Sequence, residues 1–211
     1  MQMQPLLFII ASMFVPLLMQ AQEDFQPQSS LGFTPQYLIN QGLSIEWEKR
    51  LDTNNNWLKL SSQFYFDERS NQSMNYEELS GLGIEAHHKM YLLPDKIGSG
   101  PYLSYGLLYQ YFELKYADND WTSYTEDGLD YTEYKRSLHS QWIHKTGVNL
   151  LLGYQLIRFN RLFMDVYLGS GLRISFRKEN DENTPQYNES STDFGYSGTL
   201  VVGGVRFGVM F

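Results

Sequence analysis

The sequence predicts an all-β protein, an antiparallel up-and-down transmembrane β-barrel of about eight strands. Three observations predict this fold: apolar and polar residues alternate in successive segments, short and long connections take turns between those segments, and 16% of the 211 residues are aromatic. Aromatic rings are abundant where membrane proteins meet the lipid–water interface. A mean hydropathy of -0.40 excludes a helical membrane bundle. It fits a barrel, because a spanning strand alternates lipid-facing apolar residues with lumen-facing polar ones.

The N-terminal residues predict a signal peptide over residues 1–21, followed by a single barrel domain over residues 22–211. Leu6–Leu18 is an apolar run that has the length of a signal-peptide core and is too short to span a bilayer as a helix. Cleavage is expected near Ala21. The alternative is an uncleaved anchor helix.

Seven later segments alternate apolar and polar residues with a period of two, which a helix with its period of 3.6 does not produce. A bacterial single-chain barrel has an even number of strands. Ser30–Thr34 is therefore expected to supply the first strand, turning through Pro35–Gln41 into the second. The seven segments cover residues 43–51, 58–66, 82–90, 103–110, 147–154, 162–173 and 201–211.

The connections between the segments fall into a short class and a long polar class. Short turns on one side and long loops on the other are typical of outer-membrane barrels, with the short side in the periplasm. The long links are acidic and rich in Asn and Ser, so we expect mobile loops outside the cell. The short links are Asp52–Asn56, Leu93–Gly100 and Ile157–Asn160, and the long links are Asp67–Leu79, Tyr116–Leu138 and Lys178–Phe194.

Composition excludes several functions. The formal net charge is -8 with no basic stretch, which disfavours nucleic-acid binding. The absence of cysteine excludes disulfides, thiolate catalysis and cysteine zinc sites. His87 and His88 point to opposite faces of a strand, and His139 and His144 differ in parity. We therefore expect no metal site and no cofactor.

The predicted lumen carries a polar cluster with a structural role. By the parity of the alternation, four acidic and five basic residues face inward, so they can largely neutralise one another. The interior of an eight-stranded barrel is only just wide enough for its own side chains, which favours a salt-bridged plug over a narrow pore. The cluster consists of Glu46, Glu48, Arg50, Lys59, Glu85, Lys89, Asp165, Arg173 and Arg206.

Four segments give the chain a resemblance to a known group: Gly42–Leu51, Gly147–Leu156, Phe163–Arg173 and Gly203–Phe211. It resembles the small outer-membrane barrel proteins of unknown function common in Bacteroidota and, more distantly, the OmpA/OmpX-type eight-stranded barrels. The resemblance implies outer-membrane lipid and lipopolysaccharide as surroundings. It also implies recognition by the barrel-assembly machinery through a C-terminal strand ending at Phe211. It implies no activity.

The sequence favours a non-enzymatic structural or surface-interaction barrel with acidic extracellular loops. One alternative is a narrow channel, and another is a lipid-A-modifying enzyme that would use His139 and Ser140 near the rim. A third is a soluble lipocalin-like barrel, whose interior would be apolar and whose exterior would be polar. The acidic loop residues at Asp118, Asp120 and Asp181–Glu182 are expected to be solvated, since they form no calcium-binding loop.

Overall fold

A computed structural model describes residues 26–39, 41–51, 55–67, 76–93, 97–158, 161–177, 187–188, 190–191 and 193–211. The expected signal peptide and the pair Asp181–Glu182 lie outside these residues. Within them, eight antiparallel strands follow one another around a closed barrel, and the first pairs with the last. The predicted fold is therefore confirmed. The strands are β1 Ser29–Phe33, β2 Gly42–Arg50, β3 Asn56–Asp67, β4 Glu78–Tyr91, β5 Gly100–Glu126, β6 Leu129–Arg158, β7 Leu162–Arg177 and β8 Gly198–Met210.

No helix in the described part of the chain combines the length and apolar character needed to cross a membrane. The only helical turn there is a 3-10 helix, Pro35–Leu38, between β1 and β2. It turns into the barrel, because Gln36 donates a hydrogen bond to the hydroxyl of Tyr167 at 2.9 Å. The hydroxyl of Tyr37 accepts a hydrogen bond from Gln63 at 2.9 Å. The first connection therefore fills part of the lumen.

The outer surface of the barrel is apolar and its interior is charged. Ile84, Leu107 and Val201 are 62%, 66% and 76% exposed on the outside. Asp165 and Arg206, on the inside, are 0% and 2% exposed. This arrangement is that of a transmembrane barrel and the reverse of a soluble lipocalin-like barrel.

Inward-facing glycines make room for large side chains on the neighbouring strand. A Cβ added at Gly153 would lie 2.4 Å from the ring of Tyr102, its register partner. A Cβ at Gly106 would lie 2.5 Å from the ring of His87. Each large side chain thus lies flat over a glycine and fills the lumen without widening the barrel. Such cross-strand pairs are Gly42–Tyr65, Gly81–Phe112, Gly83–Gln63, Gly106–His87, Gly147–Arg173, Gly153–Tyr102 and Gly208–Phe163.

The expectation of a loop over Tyr116–Leu138 is wrong. Residues 116–126 pair with residues 129–139 as a continuous two-stranded ribbon that extends β5 and β6 beyond the barrel. Asp127 and Gly128 form its turn with φ of 52° and 77°, as a two-residue hairpin turn of type I′ requires. Residues 121 and 123–136, in the outer part of the ribbon, are all exposed, so the sequence there lacks the apolar alternation that marks the barrel segments.

Candidate functional site

Three carboxylates and three cations form a closed ionic network across the lumen. We call Glu46, Glu48, Asp165, Lys59, Lys89 and Arg206 the lumen network. Arg206 is at its centre and forms ion pairs with all three carboxylates. Lys89 lies 3.4 Å from Glu48 and 3.2 Å from Asp165, and Lys59 lies 3.4 Å from Glu46. The charges cancel within the network.

The lumen network is hydrogen-bonded to every strand of the barrel. Its own residues come from β2, β3, β4, β7 and β8. Ser30 adds β1 by a hydrogen bond of 3.3 Å to Glu48. Tyr102 of β5 donates to Asp165 at 2.8 Å, and Gln155 of β6 accepts from Lys89 at 2.6 Å. Such partners are what charges enclosed in a protein require.

An apolar layer covers the network at the short-turn end of the barrel. It consists of Trp57, Tyr91, Tyr102, Phe163 and Met210, all buried. The ammonium of Lys89 lies 4.0 Å from the centre of the Tyr102 ring, a cation–π contact. The layer therefore covers the network and also stabilises it through this contact with Lys89.

A second apolar layer closes the long-loop end. Phe112, Tyr65 and Tyr76 belong to a buried cluster there, and Phe194 from the β7–β8 connection packs on Phe112 with ring centres 4.8 Å apart. Burial raises the pKa of Tyr187, which packs against the same cluster, so its phenol stays protonated at neutral pH. The described lumen is thus layered: apolar, charged and apolar again.

Between the network and the upper layer, His87 connects a serine and a carboxylate. Its Nδ1 lies 3.2 Å from the hydroxyl of Ser104, and its Nε2 lies 3.2 Å from Glu85. Gln63 donates a further hydrogen bond of 2.7 Å to Glu85. Residue types of this kind serve nucleophilic catalysis when a substrate can reach them. Ser104 is 2% exposed inside the filled lumen, so the group contributes packing and hydrogen bonds.

The remaining candidates lie apart from the centre of the network. Arg173 is 8% exposed and donates to the carbonyl oxygens of Val148 and Leu172, each at 3.1 Å. Arg50 ends β2 and is half-buried. Sequence reasoning missed Lys145, which donates to the Asp193 carbonyl at 2.8 Å and ties the β7–β8 connection to the barrel.

The histidines separate as the parity predicts. His87 faces the lumen, whereas His88 faces outward and shares a hydrogen bond of 3.0 Å with the hydroxyl of Tyr105. His144 faces outward beside Tyr109, and the two share a hydrogen bond of 2.8 Å. His139 stacks on Tyr116 with ring centres 5.6 Å apart.

No family model matches the chain, and no curated protein matches it. The comparisons therefore do not place it in the Bacteroidota group that its sequence resembles. Among solved structures, the chain is similar to the Acinetobacter baumannii protein CarO, with 9% identity, a TM-score of 0.41 and coverage of 90% of this chain and 100% of that one. For CarO2 of the same organism the identity is 10%, the TM-score 0.39 and the coverage 88% and 98%.

Proposed function

We propose that this protein is a non-enzymatic barrel of the bacterial outer membrane that reaches it by Sec-type export, loses its signal peptide and displays an acidic ribbon outside the cell. In this proposal its outer face lies in outer-membrane lipid and its loops lie among lipopolysaccharide. The barrel-assembly machinery inserts it through the C-terminal strand, which ends at Phe211. The lumen supports the barrel and conducts no solute.

The observation that carries the proposal is the closed lumen. The lumen network reaches all eight strands, and an apolar layer covers it on each side. An ion crossing the barrel would have to separate buried ion pairs, and leaving one of those charges unpaired costs several kcal/mol. This arrangement supports a lumen without a steady open pore.

The ribbon is the part of the molecule suited to display. At about 3.3 Å per residue, residues 116–126 reach roughly 35 Å beyond the last pairing of β5 with β4. Its exposed aromatic side chains include Trp121 at 70% and Tyr134 at 57%. Its charged residues are the acidic Asp118, Asp120, Glu126, Asp127, Asp130 and Glu133 and the basic Lys135 and Arg136.

A planar-bilayer recording of the purified, folded protein tests the closed lumen. We expect little steady conductance. The matched variant is Arg206→Ala, which removes the central cation of the network and should increase the frequency of brief openings. Large, stable, ion-selective openings of the unmodified protein would replace this proposal with the channel alternative.

Protease added to intact cells tests the orientation. The turn at Asp127–Gly128 should be cut first, because exposed tips of connecting segments are preferred sites of nicking. The short turn near Leu93 should be cut only after the outer membrane is opened. The reverse order would invert the topology, and recovery of the protein in the soluble periplasm would exclude the membrane location.

A further inference from the structure

An apolar groove of about 540 Å³ opens on the outer face of the barrel, across strands β5 to β8. It runs between two rungs of register partners. Tyr105, Leu150 and Ser170 form one rung. Leu107, Val148, Leu172 and Thr199 form the other. The groove floor is the backbone at Gly106, Asn149 and Gly171.

The groove is oblique to the barrel axis. Tyr105 lies near Gly100, where β5 begins at the short-turn end, whereas Thr199 lies next to Gly198, where β8 begins at the long-loop end. Three strand spacings of about 4.8 Å give the groove a length of roughly 14 Å. Because strands of such barrels tilt by roughly 35–45°, a groove perpendicular to them climbs through the apolar band.

Two hydrogen-bonded polar side chains lie at the end of the groove that is nearer the short turns. His88, on β4 close to the short-turn end at Tyr91, faces outward beside Tyr105, and their rings are 5.3 Å apart. The hydroxyl of Tyr105 engages Nδ1 of His88. Nε2 is the second hydrogen-bonding atom of the imidazole. An uncharged apolar channel with a hydrogen-bonding side chain at one end matches an amphiphile that has one chain in the groove.

We propose that the groove retains one glycerophospholipid of the periplasmic leaflet, with an acyl chain between the two rungs and the headgroup beside His88. The proposal rests on the proposed function, because only a barrel in a membrane presents this face to lipid. With the short turns in the periplasm, the His88 end lies towards the periplasmic headgroups and the Thr199 end lies towards the long loops. The position of the polar end at His88 therefore favours the periplasmic leaflet over the lipopolysaccharide leaflet.

The test is native mass spectrometry of the folded barrel after reconstitution with a mixture of phosphatidylethanolamine and lipopolysaccharide and release into the gas phase. The unmodified protein should keep one phospholipid. Ser170→Phe and Thr199→Phe fill the groove and should abolish the adduct. Ser62→Phe is the matched control, because Ser62 is exposed on the outer face of β3, away from the groove, and it should keep the adduct.

The polar end has its own matched pair of variants. His88→Ala should lower the fraction of lipid-bound protein, whereas His144→Ala, which removes an outward histidine bonded to a tyrosine elsewhere on the barrel, should leave it unchanged. Equal retention by the unmodified protein and Ser170→Phe would overturn the proposal. Retention of lipopolysaccharide or a second copy of the chain at this face would also overturn it. These results would leave the closed-lumen function standing, since that is tested by conductance and by cell fractionation.

Discussion

Strands β5 and β6 pass through two environments, and the contrast shows what sequence alternation measures. Between Tyr102 and Lys115, β5 pairs with β4 on one side and β6 on the other. Beyond Tyr116, the described pairing of β5 is with β6 alone. The backbone is extended in both parts, but only the first shows a period of two in hydrophobicity. Alternation thus records the burial of one face and the lipid contact of the other, and it does not record extended backbone by itself.

The two parts are also held together differently. In the barrel, a charged network joins opposite walls and large side chains lie over cross-strand glycines. In the ribbon, stability comes from a turn with positive φ and from facing rings, such as Trp121 with Tyr134 at 5.0 Å and Tyr124 with Tyr131 at 5.5 Å. Changes in the barrel should therefore act on the whole molecule and changes in the ribbon should act locally.

The largest difference is expected between two arginines. Arg206→Ala leaves the three carboxylates of the lumen network with two lysines, and breaking a buried pair costs about 3–5 kcal/mol. Arg136→Ala removes an ion pair with Glu77 whose arginine side chain is 68% exposed, which is worth roughly 0–1 kcal/mol. Urea unfolding in lipid vesicles, followed by tryptophan fluorescence, measures both. Equal losses would mean that the lumen is solvated and the network weak.

A second comparison uses two leucines of the same strand. Leu150 and Leu129 are 53% and 61% exposed on β6, but only Leu150 lies in the barrel part. Leu150→Lys should cost about 2–4 kcal/mol near the bilayer midplane, whereas Leu129→Lys should be nearly silent. The heat-modifiable migration of the folded barrel on gels measures the difference. Similar behaviour of the two variants would show that the outer face at Leu150 does not contact lipid.

A substitution at the ribbon turn should destabilise the ribbon and leave the stability of the barrel unchanged. Gly128 has φ of 77° and a Cβ there would meet no atom within 4 Å, so Gly128→Ala adds only backbone strain of about 1–2 kcal/mol. The expected result is faster proteolysis of the ribbon with an unchanged urea midpoint for the barrel. Ser123→Ala on the same ribbon is the control. A lower urea midpoint for Gly128→Ala would show that ribbon and barrel unfold as one unit.

The smallest effect concerns the facing rings of the ribbon. A cross-strand aromatic pair contributes roughly 0.2–1 kcal/mol. Trp121→Ala and Tyr134→Ala, alone and together, form a double-mutant cycle read by amide hydrogen exchange of the ribbon. We expect a coupling in that range. Strict additivity would mean that the rings do not support each other.

The sequence predicts much of the barrel because alternate residues of a strand point to opposite faces, so the order of residues along the chain is enough to assign each one to a face. The strand order, the outward position of Leu150 and the inward position of Glu46, Lys89 and Arg206 follow from alternation alone. The partners within the lumen do not, because they depend on register. Gln155 and Tyr102 therefore emerge only from the structure, as does the fit of Tyr102 over Gly153.

The sequence did not predict two other features of the structure, and the reason can be identified for each. Lys145 precedes the first clearly alternating residue of its segment, so parity was not extended to it. The 3-10 helix at Pro35–Leu38 is short and its partners are distant in sequence: Gln36 meets Tyr167 of β7, 131 residues further along the chain. In both cases the information lies in contacts between remote residues and not in a local pattern.

The reach of the lumen network has a consequence for assembly. No hairpin and neither half of the sequence, β1–β4 or β5–β8, contains all the carboxylate partners of Arg206, since these come from β2 and β7. The pairing of β1 with β8, which joins Ser30 to Met210, spans almost the whole described chain. Contacts of such sequence separation form late and limit the folding rate. Ring closure and charge neutralisation should therefore occur in one cooperative step, which makes a partly zipped barrel a high-energy species and not a resting intermediate.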